Sequence, residues 1–242
     1  LSQFSVAIVI QARMNSSRLP GKMMINLGGN PILKWVLCRV MRAKMVKEVV
    51  VATSHNKSDD CIVDLAKKIG VKAFRGSELD VLDRFSKSTY QLRSNVIVRV
   101  CADNPFIDPE EIDALISFYF EKKVDLAFNH APKYGCKYAD GFGAEIFSKN
   151  ILLELERLTF LDDKKYREHI TTYFYENVNK YKIAFLEPHK NLEYPNLRFD
   201  LDSNLDLIWL RKLCDSGVTI NTKATEIVKI ANDLLNEKRL ND

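Results

Sequence analysis

Apolar and polar positions follow two rhythms along this chain. Unbroken apolar runs at Val6 to Ile10, Val49 to Ala52 and Val96 to Val100 have the length and β-branched content of strands buried on both faces, and Val71 to Phe74 reads as a further short strand. Between them, apolar residues return at helical spacing. Ile32, Trp35, Val36 and Val40 share one face; residues 59–69 form a second helix ended by Gly70; a third runs from about Val81 to Leu92. Ile112, Leu115, Ile116, Tyr119 and Phe120 fall at i, i+3, i+4, i+7 and i+8. Strand and helix in alternation predict right-handed crossovers and an α/β fold, a mostly parallel (mixed) sheet with helices on both faces. Farther along, a loop rich in Gly, Tyr and Lys is expected over about Ala131 to Gly143. Helices are expected near 149–158 and 164–177, then strands at Tyr181–Leu186 and Leu197–Leu201, then two closing helices. No linker, charge block or repeat interrupts the pattern, so residues 1–242 are expected to form one domain.

In such sheets ligands bind beyond the carboxyl ends of the strands, which directs attention to the segments just after Ile10, Val51, Phe74 and Val100. The first strand runs into Gln11-Ala-Arg-Met-Asn-Ser-Ser-Arg-Leu-Pro-Gly-Lys22, a loop with three cations (Arg13, Arg18, Lys22), two hydroxyls and a Pro-Gly turn. Guanidinium forks, a lysine point charge and backbone N–H groups suit a polyphosphate; the bland alternative is a solvated basic loop. Gly21-Lys22-Met23 lacks the Ser/Thr and upstream glycine of a P-loop, and no G-x-G-x-x-G opens a helix.

Composition narrows this further. Hydrophobic residues at 46% and charged residues at 28% are globular proportions, and the excess of 36 Lys and Arg over 32 Asp and Glu suits an anionic small molecule but not a nucleic-acid surface. Five scattered cysteines without a C-x-x-C pair argue against a disulfide framework and a thiolate zinc site and fit a reducing cytoplasm. His55, His130 and His189 show no metal-ligand spacing. No apolar run approaches the roughly 20 residues that span a bilayer, and Leu1-Ser2-Gln3-Phe4 lacks the zones of a signal peptide, so neither membrane insertion nor export is expected.

The first loop resembles the signature of the CMP-sugar synthetases, the cytidylyltransferases that include CMP-KDO and CMP-sialic acid synthetases, and especially the spore-coat polysaccharide F-type branch. The A-R-x-x-S-x-R-L-P-G-K pattern is complete from Ala12 to Lys22. The resemblance extends over nearly the whole chain, through Ala52-Thr53-Ser54 with Asp59-Asp60, through Arg75-Gly76-Ser77 with Asp80-Val81-Leu82-Asp83-Arg84, and through Arg99-Val-Cys-Ala-Asp103-Asn-Pro105. It implies a nucleotide-diphospho-sugar transferase (GT-A-like) fold, CTP as nucleotide, Mg²⁺ as cofactor and a homodimer. It also implies a nucleotide site of Ala12, Arg13, Ser16, Arg18, Lys22, Ala52, Thr53, Arg75 and Asp103, with Arg13, Lys22 and Asp103 nearest the chemistry. Arg84 stays open between a ligand contact and an exposed helix cation.

By the same resemblance Asp103 and Asp202 would hold the metal, since Mg²⁺ prefers oxygen ligands and substrate phosphates. Asp200, two residues earlier and on the same side of the strand, competes with Asp202. Asp206 fits the N3 partner of a Ser203 cap, and Asp108, Pro109 and Glu111 fit a cap, a first-turn Pro and a reciprocal capping box. For a sugar or small anionic acceptor the resemblance offers Asp140 and Glu145, in a motif where Ala139 replaces Pro and Gly143 replaces a second Asp, and Arg167 and His169 on a helix. A lone helix His is also a common packed residue. A ulosonic acid, a sugar phosphate and a phosphonate all stay open as acceptors. Two other readings remain: a GT-A-type glycosyltransferase using Asp200-Leu-Asp202 as its D-x-D element, and a nucleotide-binding homologue without catalysis.

Overall fold

The computed structural model describes residues 5–130, 134–159 and 163–241, with side chains described through residue 237. In chain order, β1 (Val6–Gln11) leads into the 11–22 loop, a 3₁₀ turn at Lys22–Met24 and a small hairpin of β2 (Asn26–Leu27) and β3 (Asn30–Pro31). Next come α1 (Ile32–Val40), β4 (Val46–Ser54), α2 (Asp60–Ile69), β5 (Lys72–Gly76), α3 (Val81–Tyr90), β6 (Val96–Cys101) and α4 (Pro109–Lys122). The second half adds β7 (Leu126–Phe128), β8 (Glu145–Ser148), α5 (Lys149–Leu158), α6 (Lys164–Glu168), α7 (Thr172–Glu176), β9 (Ile183–Phe185), α8 (Asn204–Asp215) and α9 (Ala224–Asn241).

Seven strands form one sheet in the order β5-β4-β1-β6-β8-β7-β9, with β8 antiparallel to both of its neighbours and the other pairs parallel. The apolar run of β1 is explained by its central place: Val9 lies between Val50 of β4 and Arg99 of β6. Its alternate side chains feed two cores. Val6, Ile8 and Ile10 pack with Val36 of α1, Ile62 of α2 and Ile116 of α4, whereas Ala7 and Val9 pack with Leu82 and Phe85 of α3 and Leu155 of α5. Helices thus cover both faces. A fully buried aliphatic side chain contributes about 1.5–3 kcal/mol by leaving water, so these two cores hold the strand ends in place.

Several sequence expectations need correction. The expected 164–177 helix is two short helices, broken at His169-Ile170-Thr171, where His169 takes φ −116° and ψ 80° and closes α6. The expected strand at Leu197–Leu201 joins no ladder. Its backbone is spent on loops, with Asp140 N donating to Leu197 O, Phe199 N to Asp140 O and Leu201 N to Asp103 O. Tyr181–Leu186 shortens to β9, and β7 and β8 form where no strand was expected. Within the expected 131–143 loop, residues 131–133 lie outside the described residues, as does the Leu1–Phe4 start. Asp108 does cap α4, accepting from Glu110 N, but Glu111 completes no capping box; its carboxylate accepts from Tyr138 Oη at 2.7 Å.

Candidate active site

From β1 the chain passes outward to β4 and β5, then returns across β1 to form β6, so the topological switch lies between β1 and β6. A cleft of about 280 Å³ opens there. Gln11 to Arg13, Ser16 to Arg18, Lys22 and Met23 form one wall, and Arg99 and Cys101 to Asp103 form the end of β6. Val81 and Arg84 of α3, with Glu168 and His169 at the end of α6, close the opposite side.

The first loop is tied down at both shoulders. Met14 N donates to Asp59 Oδ1 at 2.7 Å, and Asn15 Nδ2 donates to Glu78 Oε1 at 2.8 Å. Asp59 is buried and also accepts from Thr53 Oγ1, Ser54 N and Ser54 Oγ, which anchors the loop to the end of β4. Gly21 turns the chain at φ +74°, a left-handed conformation that a side chain disfavours, and donates to Met14 O at 2.9 Å. That turn delivers Lys22 inward. Its Nζ lies 2.7 Å from Asp103 Oδ2, 3.1 Å from Leu201 O and 3.5 Å from Asp202 Oδ1. Arg18 reaches Asp202 Oδ2 at 2.8 Å, and Arg13 stands 3.7 Å from Glu168 across the cleft.

Two aspartates 99 residues apart in sequence therefore flank one cation. Asp200 does not join them; its carboxylate pairs with Arg198 Nε at 3.0 Å, and it raises the pKa of neighbouring Asp140, after burial as the larger cause. The two aspartates of residues 200–202 share Arg198, 2.6 Å from Asp200 Oδ2 and 4.0 Å from Asp202 Oδ2, but Asp202 also meets Arg18 and Lys22. Asp206 makes the expected capping box with Ser203 and also accepts from Asp202 N at 3.0 Å.

Of the sequence candidates, Ala12, Arg13, Ser16, Arg18, Lys22, Asp103 and His169 line the cleft. Others lie outside that lining. Ala52 is buried in β4, and Thr53 spends its hydroxyl on Asp59. Arg75 donates to Ser54 O, Asn56 O and Asp60, clamping the loop after β4. Arg167 grips Asp80, the cap of α3, through Nε at 2.9 Å and through Nη2, so it docks α6 on α3. Asp140 and Glu145 do not line the cleft, and Glu145 is buried as the counter-ion of Arg99. Gly143, where the resemblance has an aspartate, admits no side chain at all, because a Cβ would sit 2.3 Å from Asn129 O.

Sequence reading missed Gln11, Arg99, Cys101 and Glu168 as cleft residues, and left Arg84 open to being an exposed cation. Arg84 is buried; its Nη1 donates to the carbonyls of Ser77 and Glu78, and its Nε finds no partner among the described residues. A lone Arg inside the apolar run Val96 to Val100 was the available signal for a buried pair. Glu145 lies directly opposite Arg99 on β8, with Arg99 Nη1 2.6 Å from its Oε2, and Tyr175 Oη donates to its Oε1 at 2.8 Å. Burial alone would raise the Glu145 pKa, but Arg99, with His130 and Tyr175, holds it well below the usual carboxylate range. Burial also pushes the Cys101 thiol up to about 11, so it stays neutral. Among the described residues no group of three or more His, Cys, Asp or Glu is arranged to hold a metal, and no helix is long and apolar enough to cross a membrane.

A mixed seven-stranded sheet with a cationic loop over its switch point and paired aspartates beneath is the layout of a nucleotidyltransferase. Residues 7–232 match the cytidylyltransferase family, and the chain belongs to it: it is an enzyme that takes CMP from CTP. Its sequence is 33% identical over 233 residues to the spore coat polysaccharide biosynthesis protein SpsF of Bacillus subtilis, covering 94% of each chain. A 3-deoxy-manno-octulosonate cytidylyltransferase of Bdellovibrio bacteriovorus is 34% identical over 122 residues, 49% of this chain and 48% of that one. Among solved structures, a cytidylyltransferase from Leptospira borgpetersenii superposes with a TM-score of 0.89 at 28% identity, covering 97% of this chain and 96% of that one. The fold is also shared with a CMP:2-keto-3-deoxy-manno-octonic acid synthetase complexed with CTP, with a TM-score of 0.66 at 17% identity over 88% of this chain and 100% of that one.

Proposed function

We propose that this cytidylyltransferase loads CMP onto a sugar or sugar-like anionic acceptor for surface polysaccharide or glycan synthesis, with release of pyrophosphate. The observation that carries this reading is the placement of Lys22 between Asp103 and Asp202, directly under the Arg13–Arg18 loop. Arg13, Ser16, Arg18 and Lys22 bind the triphosphate, the guanidinium groups gripping oxygens and Lys22 supplying a point charge. Asp103 and Asp202 converge on one cation and offer the hard oxygen donors that Mg²⁺ takes together with phosphate oxygens. A bound Mg²⁺ supplies neutralisation of charge developing on the α-phosphate and its leaving group. With nucleotide present Lys22 would shift its hydrogen bonds from the carboxylates to phosphate, and Asp103 and Asp202 would be the residues to hold Mg²⁺. Glu168 and His169 face the loop across the cleft and meet the acceptor, while Arg167 holds their segment against α3.

Similarity to the SpsF protein and to 3-deoxy-manno-octulosonate cytidylyltransferases supports the sugar class of the acceptor. Residues 1–242 act as one domain, in a homodimer, in the cytoplasm; five cysteines without a disulfide suit that compartment. The test is a screen for pyrophosphate release with CTP, ATP, GTP or UTP, with and without Mg²⁺, over ulosonic acids, sugar phosphates and phosphonates. Release confined to CTP, Mg²⁺ and one acceptor class is expected. Equal release with all four nucleotides, or with no acceptor in the panel, contradicts the proposal.

A further inference from the structure

Arg99 dictates which way Gln11 faces. The two lie diagonally across neighbouring strands near the carboxyl ends of β6 and β1, with Arg99 opposite Val9 and Gln11 opposite Cys101, on the face of the sheet that carries Ala7 and Val9, and Arg99 Nε is 2.6 Å from Gln11 Oε1. A guanidinium has donors only, so the amide atom toward it must be the oxygen; turned over, N–H would meet N–H. Arg99 in turn is held by Glu145, which is 1% exposed and fixed by Tyr175. The Nε2 amide of Gln11, with two N–H donors, is therefore directed away from Arg99. Gln11 lines the cleft, and among the described residues Nε2 donates to no protein acceptor.

The position of this donor separates it from the phosphate cations. Arg13, Arg18 and Lys22 all lie beyond Ala12 on the loop, whereas Gln11 ends β1, paired with Cys101 of β6, in a cleft that Val81 also lines. The charge of Arg99 there is answered by Glu145. Apart from Arg84 on the α3 side, whose Nη1 is spent on the carbonyls of Ser77 and Glu78, an amide, a thiol and an apolar side chain form this part of the cleft, a surface suited more to a heterocycle or ribose than to a polyanion. We propose that Gln11 is a specificity-determining residue whose Nε2 donates to an acceptor atom of the nucleoside half of CTP, its orientation set by the Glu145–Arg99 pair. This rests on the assignment of the cleft to CTP.

Calorimetric titration of CTP and of inorganic tripolyphosphate into the wild-type protein, Gln11→Met and Gln11→Glu tests it, with melting temperatures measured alongside. Removing a donor from a ligand acceptor is expected to raise the CTP Kd of Gln11→Met about tenfold while tripolyphosphate changes less than twofold. Gln11→Glu keeps an oxygen on Arg99, and so the fold, but presents a second oxygen to the ligand; its CTP affinity should fall at least as far. Wild-type CTP affinity in either variant overturns the proposal, as does an equal loss for CTP and tripolyphosphate in Gln11→Met. Failure of the wild-type protein to bind CTP would instead overturn the nucleotide assignment itself.

Discussion

Two charge clusters flank the end of β1, and they are built to opposite rules. On the loop side, Lys22, Arg18, Asp103 and Asp202 pair loosely: Lys22 reaches one carboxylate at 2.7 Å and the other at 3.5 Å, and the side chains of Asp103 and Asp202 stay 27% and 20% exposed. On the strand side, Arg99 and Glu145 pair at 2.6 Å with the carboxylate 2% exposed and the guanidinium, which reaches the cleft, 15% exposed, and Gln11 and Tyr175 take further hydrogen-bonding positions. Desolvation explains the contrast. A sealed pair needs every partner, because a buried charge left alone costs several kcal/mol. The carboxylates of the open cluster keep contact with water, so its members can exchange partners at little cost. The open cluster is expected to govern turnover and the sealed one stability.

The largest effect is expected at Asp103. Asp103→Asn should lower turnover about a thousandfold or more, because a metal ligand acts most strongly on the transition state. Its melting temperature should stay near that of the wild type, since the residue is only partly buried. A large loss of stability with activity intact would reverse the roles of the two clusters.

Glu145→Gln should do the opposite and cost about 3–5 kcal/mol of stability, read by denaturant titration, because Arg99 keeps its buried charge without a counter-ion. The pH dependence comes from the depressed pKa of Glu145. Its stabilisation is present in full above the ordinary glutamate value of about 4.3 and is lost as pH falls below that toward the lower folded value. The stability gap between wild type and Glu145→Gln should therefore narrow below about pH 4. A gap that widens on acidification contradicts the sealed pair.

Lys22→Ala should be smaller still. Losing a charge-assisted phosphate contact costs about 1.5–3 kcal/mol, a ten- to hundredfold weaker CTP Kd by calorimetry. Some of that loss is offset in the free protein, where Lys22 must first leave Asp103. Unchanged CTP binding would remove Lys22 from the phosphate site.

Much of this was legible in the sequence because it is local. The run from Gln11 to Lys22 carries its turn and its cations together, β1, β4 and β6 are bare apolar runs, and Ser203 with Asp206 spells its own capping box. What failed to show depends on distant partners. Glu145 pairs with Arg99 from the opposite strand, and Arg75 donates to the carbonyls of Ser54 and Asn56, partners that no local pattern announces. Asp200 and Asp202 are equivalent by alternation, but the segment joins no strand ladder, so alternation does not decide between them. The break at His169 arises where α6 must dock on Asp80 through Arg167, a contact 87 residues away in sequence.

That pair of aspartates gives the most direct test of the open cluster as the reactive centre. With the acceptor identified by the pyrophosphate screen, turnover of Asp200→Asn and Asp202→Asn is measured side by side at saturating CTP and Mg²⁺. Asp202 faces Lys22 and Arg18, with Arg198 farther off at 4.0 Å, whereas Asp200 is bound by Arg198 at 2.6 Å. A loss of about a thousandfold is expected for Asp202→Asn and less than a few-fold for Asp200→Asn. An active Asp202→Asn beside a dead Asp200→Asn would contradict that placement of the reactive centre.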